Sequence, residues 1–247
     1  MPLKYLQLLT SAQRSNKTNL HLGAYLAFVA GAVNAGGFLA IHRYTSHMSG
    51  IISGIGDDLA LTDIIAVLGG ISMLLSFLSG AATTAIIVNW GQRRNIYSIF
   101  ALPLMLEAML LLIFGVMGAN LSIYTPLTIP AIALLLCYVM GLQNAIISKI
   151  SNSEIRTTHM TGVMTDMGVE LGRMFYWNKD KHANQIHYVK ANRQKLKTHL
   201  TIFLMFLLGG IVGAISFKGV GYASVIPLSA SMIAIAALQI YQDIKTA

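Results

Sequence analysis

Charge is what this 247-residue chain has least of. Only 11% of its residues are Asp, Glu, Lys or Arg, whereas a soluble domain carries about 25%. That is too few to coat a water-facing surface of ordinary size. Cysteine is nearly absent. Cys137 is the single one, so an intramolecular disulfide is excluded and a buried thiol is expected. No Walker loop, dinucleotide fingerprint, HExxH or nucleophile elbow occurs, and Gly36-Gly37 is no phosphate loop. No catalytic constellation or cofactor is therefore expected. Residues 1–20 are polar, and no small-residue cleavage site follows the first apolar run, which reads as a retained span. Intrinsic disorder, a disulfide scaffold and a conventional nucleic-acid-binding domain are all excluded.

What is present is apolar: 55% of the residues, with a mean hydropathy of +0.65. A bilayer core about 30 Å thick needs about 20 helical residues to cross it. Runs of that order lie at 21–41, 62–89, 97–118, 127–148, 199–217 and 221–241. They predict an all-α integral membrane protein with six transmembrane helices. Two further stretches, 45–60 and 157–175, are too short and too polar to cross. They read as half-helices, either re-entrant or interfacial. In the second, Met160, Val163, Met164, Met167, Leu171 and Met174 recur at three- and four-residue spacing, with Asp166, Glu170 and Arg173 on another face.

The net charge of +8 reads first as a topology signal. Lys4, Arg14 and Lys17 precede span one, and Arg93 and Arg94 separate spans two and three. Seven more cations lie within 173–197. Six alternating spans bring all three segments to one side, leaving only Arg43 and Lys218 clearly opposite. The positive-inside rule then makes both termini cytoplasmic. The basic loop 175–197, with Asp180 as its one acid, suits anionic lipid headgroups. A homo-oligomer is compatible with this reading.

A duplicated motif carries the functional reading. Asn34-Ala35 matches Asn144-Ala145, and Ser46-His47-Met48-Ser49-Gly50 matches Thr158-His159-Met160-Thr161-Gly162. Eight residues beyond each motif glycine stands an acid, Asp58 or Glu170. Gly80 matches Gly209, and Pro103-Leu104 matches Pro227-Leu228. The organisation expected is an N-terminal segment 1–20, repeat 1 over 21–118 and repeat 2 over 119–247. Three spans per copy force the second copy into the membrane from the opposite side. Such inverted repeats bring related motifs together near the midplane.

Ser46 and Thr158 are good N-cap residues for the two half-helices, with Thr45 and Thr157 as adjacent alternatives. Inward-pointing helix N-termini would suit an anion or a carbonyl-bearing solute. Ser49, Thr161, Asn34 and Asn144, with Gln143 beside it, would complete such a site. Gly50 and Gly162 would allow close backbone approach. His47 and His159 are candidates as hydrogen-bonding or protonatable groups. A soft-metal site with Met48 and Met160 is disfavoured, because adjacent helical residues point apart. Glu107 lies mid-span in LPLMLEAMLLLIF. A charged, unpaired carboxylate there costs several kcal/mol, so it is the candidate for proton coupling. Its counterpart in the second copy is Ser231. The glycines of Gly69-Gly70, Gly209-Gly210 and the Gly31 face promise tight helix packing.

At these residues the chain resembles the YoaK family of bacterial membrane proteins, classed as a domain of unknown function. The signatures are Ala30–Phe38, Ser46–Gly50, Gly141–Ala145 and Thr157–Gly162, and the likeness covers about 20–243. Departures are Ile51 where the family often has Asn, and Asn34 where it often has Asp. The resemblance implies a multi-span inner-membrane protein and supplies no substrate. The function expected is a secondary transporter or permease for a small polar solute, anions included, with its site between the repeats. Alternatives are a passive channel, a membrane-embedded enzyme acting on a lipid or quinone, and a non-transporting scaffold.

Overall fold

A computed structural model describes residues 15–121, 125–178 and 188–246. Those residues are helical throughout, without a strand. The helices are α1 (Asn16–Ile41), α2 (Met48–Ala60), α3 (Ile64–Arg93), α4 (Ala101–Ala119), α5 (Thr125–Ser151), α6 (Met160–Phe175), α7 (Arg193–Val220) and α8 (Val225–Thr246). A short 3-10 turn, Gly221–Ser224, joins α7 to α8. Five segments are long and apolar enough to cross a bilayer: Lys17–Ile41, Ile64–Arg93, Ala101–Ala119, Pro126–Ser151 and Arg193–Tyr241. The last is 49 residues long and includes both α7 and α8. The half-helices expected at 45–60 and 157–175 are α2 and α6.

Helices begin where side chains satisfy their first N–H groups. Ser15 caps α1 in a capping box with Thr18. Asp63 accepts from the Ala66 N–H at 3.0 Å to start α3, and Asn192 from the Lys195 N–H at 3.0 Å to start α7. These two caps stand 17 residues before Gly80 and Gly209 respectively. The helices therefore extend into polar flanks beyond the apolar runs.

Packing places α1 and α5 innermost. About two-thirds (67%) of the most apolar stretch of each is buried, against 17% for α3. α1 packs along α7 and α5 along α3, while α4 packs on α8, α2 on α3 and α6 on α7. The outside is apolar: Ile65, Ile86 and Ile215 are 84%, 68% and 68% exposed. A surface of that kind requires a bilayer around it.

Two crossings bring backbones together. A Cβ on Gly31 would lie 2.1 Å from the Phe206 carbonyl oxygen, and one on Gly209 would lie 2.0 Å from that of Phe28. At the other crossing the pairs are Gly141 with Phe77 and Gly80 with Tyr138, both at 2.0 Å. These pairs occupy matching positions in the two motif frames. Gly69 differs: nothing lies within 4 Å of it, so it mediates no close approach.

The helix ends sort into two levels. Asn19, in the first turns of α1, donates to the carbonyl of Ile150 near the end of α5 at 3.4 Å. Lys149 donates to Asn89, near the end of α3, at 3.0 Å. Ser98, just before α4, donates from its N–H at 2.8 Å and from its hydroxyl to Asp243 near the end of α8. The far end of α4 lies at the α7–α8 turn, where Gly118 makes room for the Tyr222 ring.

Candidate functional site

Each motif loop folds back along its own helix. α1 runs seven residues past Asn34 to Ile41, and α5 seven past Asn144 to Ser151. That is about 10 Å at 1.5 Å per residue. Each helix is followed at once by a left-handed residue, His42 (φ 53°) or Asn152 (φ 50°). The chain then returns to the level of the asparagine. Ser46 donates its hydroxyl to Asn34 Oδ1 at 3.1 Å, and Thr158 donates to Asn144 Oδ1 at 2.8 Å. The amide of Asn144 is fixed in turn by donation to the Met140 carbonyl at 2.7 Å.

These bonds correct the expected caps. Ser46 and Thr158 do not cap the half-helices, because their hydroxyls are engaged by the asparagines. The N-cap positions are His47 and His159, and neither supplies a side-chain cap. The first N–H groups of α2 and α6 therefore lack the usual side-chain acceptor.

The two loops meet at one cavity of about 880 Å³. Asn34, Ser46, His47 and Ser49 line it from the first motif. Thr158, His159, Thr161 and Gly162 line it from the second. Met48 and Met160 are there too. Three other expected residues are elsewhere. Asn144 is buried behind Thr158, Gly50 borders a smaller pocket under α2, and Gln143 is fully buried in the core. Gly50 gives its space to the His47 ring, whose Nδ1 would lie 2.5 Å from a Cβ there.

The most informative lining residue was not singled out from sequence. Arg156 borders the cavity, and its Nη1 lies 4.0 Å from the Cβ position of Gly162. A guanidinium thus stands beside the positive end of α6. Among the described residues no carboxylate pairs with it, and no Asp or Glu lines the cavity. Partial burial, and after it the charge of Arg156, hold the His159 imidazole below the 6.5 of a free histidine. Arg156 occupies the position of Tyr44 in the first copy, two residues before the motif hydroxyl, and Tyr44 also lines the cavity. A lone arginine carries no depth information, but that shared frame position does. Tyr44 stacks on Phe38 with ring centroids 4.8 Å apart, and Phe203 and Phe206 of α7 add further aromatic wall.

The sequence has relatives. Residues 22–238 match the profile of a family described as "Protein of unknown function (DUF1275)". The chain belongs to that family. It is 26% identical over 159 residues to the UPF0700 transmembrane protein YoaK of Bacillus subtilis (strain 168). That match covers 63% of this chain and 69% of the relative. No solved structure matches the chain. The family assignment agrees with the apolar exterior in making this a membrane protein.

The expected acids fall at separate places. Glu107 is fully buried, lines no part of the cavity, and neither carboxyl oxygen has a hydrogen-bond partner. The Gln143 amide adjoins its carboxyl at hydrogen-bonding range without the geometry of a formed bond, and Tyr25 lies within electrostatic reach. The Gln143 amide is likewise unpartnered. Ser231, the frame counterpart of Glu107, joins the same region by its bond to Tyr25 at 2.6 Å. Ser231 gives its proton to the Leu228 carbonyl at 2.7 Å, so Tyr25 is the donor to Ser231. Asp58, near the end of α2, is half-exposed and borders the smaller pocket. Glu170 is buried and pairs with Arg173 at 2.8 Å, and Asp166 pairs with Lys195 at 3.2 Å. Of the basic loop, residues 179–187 lie outside the described residues, as do Lys4 and Arg14.

Proposed function

We propose that the protein is a permease for a small organic anion, bound in the cavity between the two motif loops. The carrying observation is Arg156. Arg156 is exposed at the cavity's edge, and a guanidinium there beside an uncapped helix N-terminus, with no carboxylate in the lining, attracts negative charge for which the lining holds no protein counter-charge. An anion supplies it. The lining is otherwise mostly apolar and aromatic, which moves the reading from a simple polar solute to one with an apolar or ring-bearing body. A cavity of this volume suits a small-molecule ligand. The pose has carboxylate or phosphate at Arg156, with the Thr161 hydroxyl and the first N–H groups of α6 near, and a ring toward Phe38 and Tyr44.

The scaffold in this proposal is a pair of inverted three-span repeats, with six crossings and both termini cytoplasmic. Support comes from the matched glycine crossings, the matched Asn–hydroxyl bonds and the meeting of helix ends at two levels. Fifteen of the 17 basic residues then fall on one face. Glu107 is the proposed proton-coupling group. A buried carboxyl without a partner needs a proton or a counter-charge, and a transport cycle can exchange one for the other.

The experiment is uptake into proteoliposomes of a panel of aromatic and aliphatic carboxylates and phosphates, beside neutral analogues of the same shape. Anions should accumulate and neutral analogues should not. Arg156→Gln should weaken apparent affinity by roughly tenfold or more, the size of a lost charge-assisted hydrogen bond, and Arg156→Lys should restore part of it. Equal flux of charged and neutral analogues would defeat the reading. Flux of anions that ignores an imposed pH gradient would leave a passive channel.

A further inference from the structure

A second concave surface lies away from the cavity, where α6 ends and α7 begins. It encloses about 740 Å³ and is lined by Arg173, Tyr176, Tyr188, Lys190 and Arg193. Among the described residues no carboxylate lines it, and the described acids nearby are already engaged. Glu170 accepts from Arg173 Nη1 at 2.8 Å with one oxygen and from the Asn192 backbone N–H at 2.7 Å with the other. Asp166 holds Lys195 at 3.2 Å and lies 3.4 Å from His199 Nε2. Arg173 is thereby held in place by a buried carboxylate while its own side chain stays 49% exposed. Asn178 closes the loop's base with two hydrogen bonds to the Val189 backbone, at 3.0 and 3.1 Å.

Next to this pocket three consecutive aromatic residues face outward. Phe175, Tyr176 and Trp177 are 80%, 59% and 85% exposed. Rings of this kind are favoured at the boundary between headgroups and acyl chains. The pocket sits at the start of α7, part of a segment long and apolar enough to cross the bilayer, so lipid headgroups are its natural neighbours. We propose that it binds the phosphate headgroup of an anionic phospholipid, with Phe175 and Trp177 seated in the adjoining interface. The pre-positioned guanidinium of Arg173 presents paired donors to phosphate oxygens. Lys190 and Arg193 add charge, each cation near an anionic surface strengthening attraction roughly fivefold. The site is independent of the transport reading.

Trp177 reports on it directly. The chain has two tryptophans, Trp90 and Trp177, so Trp90→Phe leaves one. That protein is reconstituted in phosphatidylcholine vesicles containing brominated phosphatidylglycerol or, at the same mole fraction, brominated phosphatidylcholine. The expected result is stronger quenching by the anionic lipid, corresponding to a roughly tenfold preference. Lys190→Gln with Arg193→Gln should abolish that preference. Lys197→Gln with Lys245→Gln, an equal loss of charge at exposed positions outside the pocket lining, should keep it. Helicity and monodispersity confirm that each variant is folded. Equal quenching by the two lipids overturns the proposal. So does a preference that survives the first pair of substitutions, or that falls equally with the second, since bulk surface charge would then suffice.

Discussion

Gly141 lies against the carbonyl oxygen of Phe77 so closely that a Cβ on it would stand 2.0 Å away. The obstacle is backbone of a packed helix, which cannot swing aside as a side chain can. Gly141→Ala must therefore push α3 off α5. The cost expected is about 1–3 kcal/mol or more, seen as a lower unfolding temperature in detergent or loss of folded protein. Gly31→Ala, at the matching contact with Phe206, should cost about as much. Gly168→Ala is the control. Nothing lies within 4 Å of that position, and alanine should stabilise the α6 helix by about 0.5–1 kcal/mol.

The two Asn–hydroxyl bonds tie each loop to its own helix, so they should be nearly equivalent in energy. Ser46→Ala and Thr158→Val each remove one donor and should cost about 1 kcal/mol. The Thr158 change leaves a buried Asn144 oxygen unsatisfied, whereas Asn34 is only half-buried, so Thr158→Val should be the costlier. Thermal unfolding of the two single variants and the double variant checks this. In addition, both should reduce anion uptake, because an untied loop no longer presents its helix N-terminus to the cavity.

Much of this arrangement was legible in the chain. The duplicated motif was visible because both halves of the chain keep the polar residues that bind loop to helix and the glycines at the crossings. The half-helices stood out because α2 and α6 are short beside spans of 19 residues or more. Ser46 was misread as a cap. A hydroxyl just before a helix ordinarily serves that helix's N–H groups, and its capture by Asn34, 12 residues earlier, is a tertiary choice. Gln143 was read with Asn144 as a site residue, yet neighbours on a helix face different ways, and it turns into the core toward Glu107. The grouping of Tyr25, Glu107, Gln143 and Ser231 draws on four helices, so no local pattern announces it.

Glu107→Gln separates coupling from folding. The amide keeps the shape and much of the hydrogen-bonding capacity of a protonated carboxyl but carries no ionisable proton. Stability should change little, and anion flux down its own gradient should persist. Accumulation driven by an imposed pH gradient should be lost. Glu107→Ala is different in kind: it leaves a void in a fully buried position and should cost about 2–4 kcal/mol. If Glu107→Gln accumulates substrate normally in proteoliposomes, protons are coupled elsewhere or not at all.

His159 makes the proposed site pH-sensitive, with a sign that can be worked out. Burial and then Arg156 hold its imidazole below 6.5, so it is neutral at pH 7. Without ligand, the unfolded chain takes up this proton before the folded one does. This group's contribution to stability is therefore complete above about 6.5 and falls as the pH drops below it. A bound anion opposes the charge of Arg156 and favours the imidazolium, so binding takes up protons in that range. Affinity for an anion of fixed charge, such as an aromatic sulfonate, should consequently rise as pH falls below about 6.5. His47 and Arg156 are the other ionisable groups of the lining besides Tyr44. His47→Gln removes the other imidazole of the lining. Binding measured between pH 5.5 and 7.5 should keep its slope in His47→Gln and lose it in His159→Gln. A slope that survives the second substitution would assign the proton to another group.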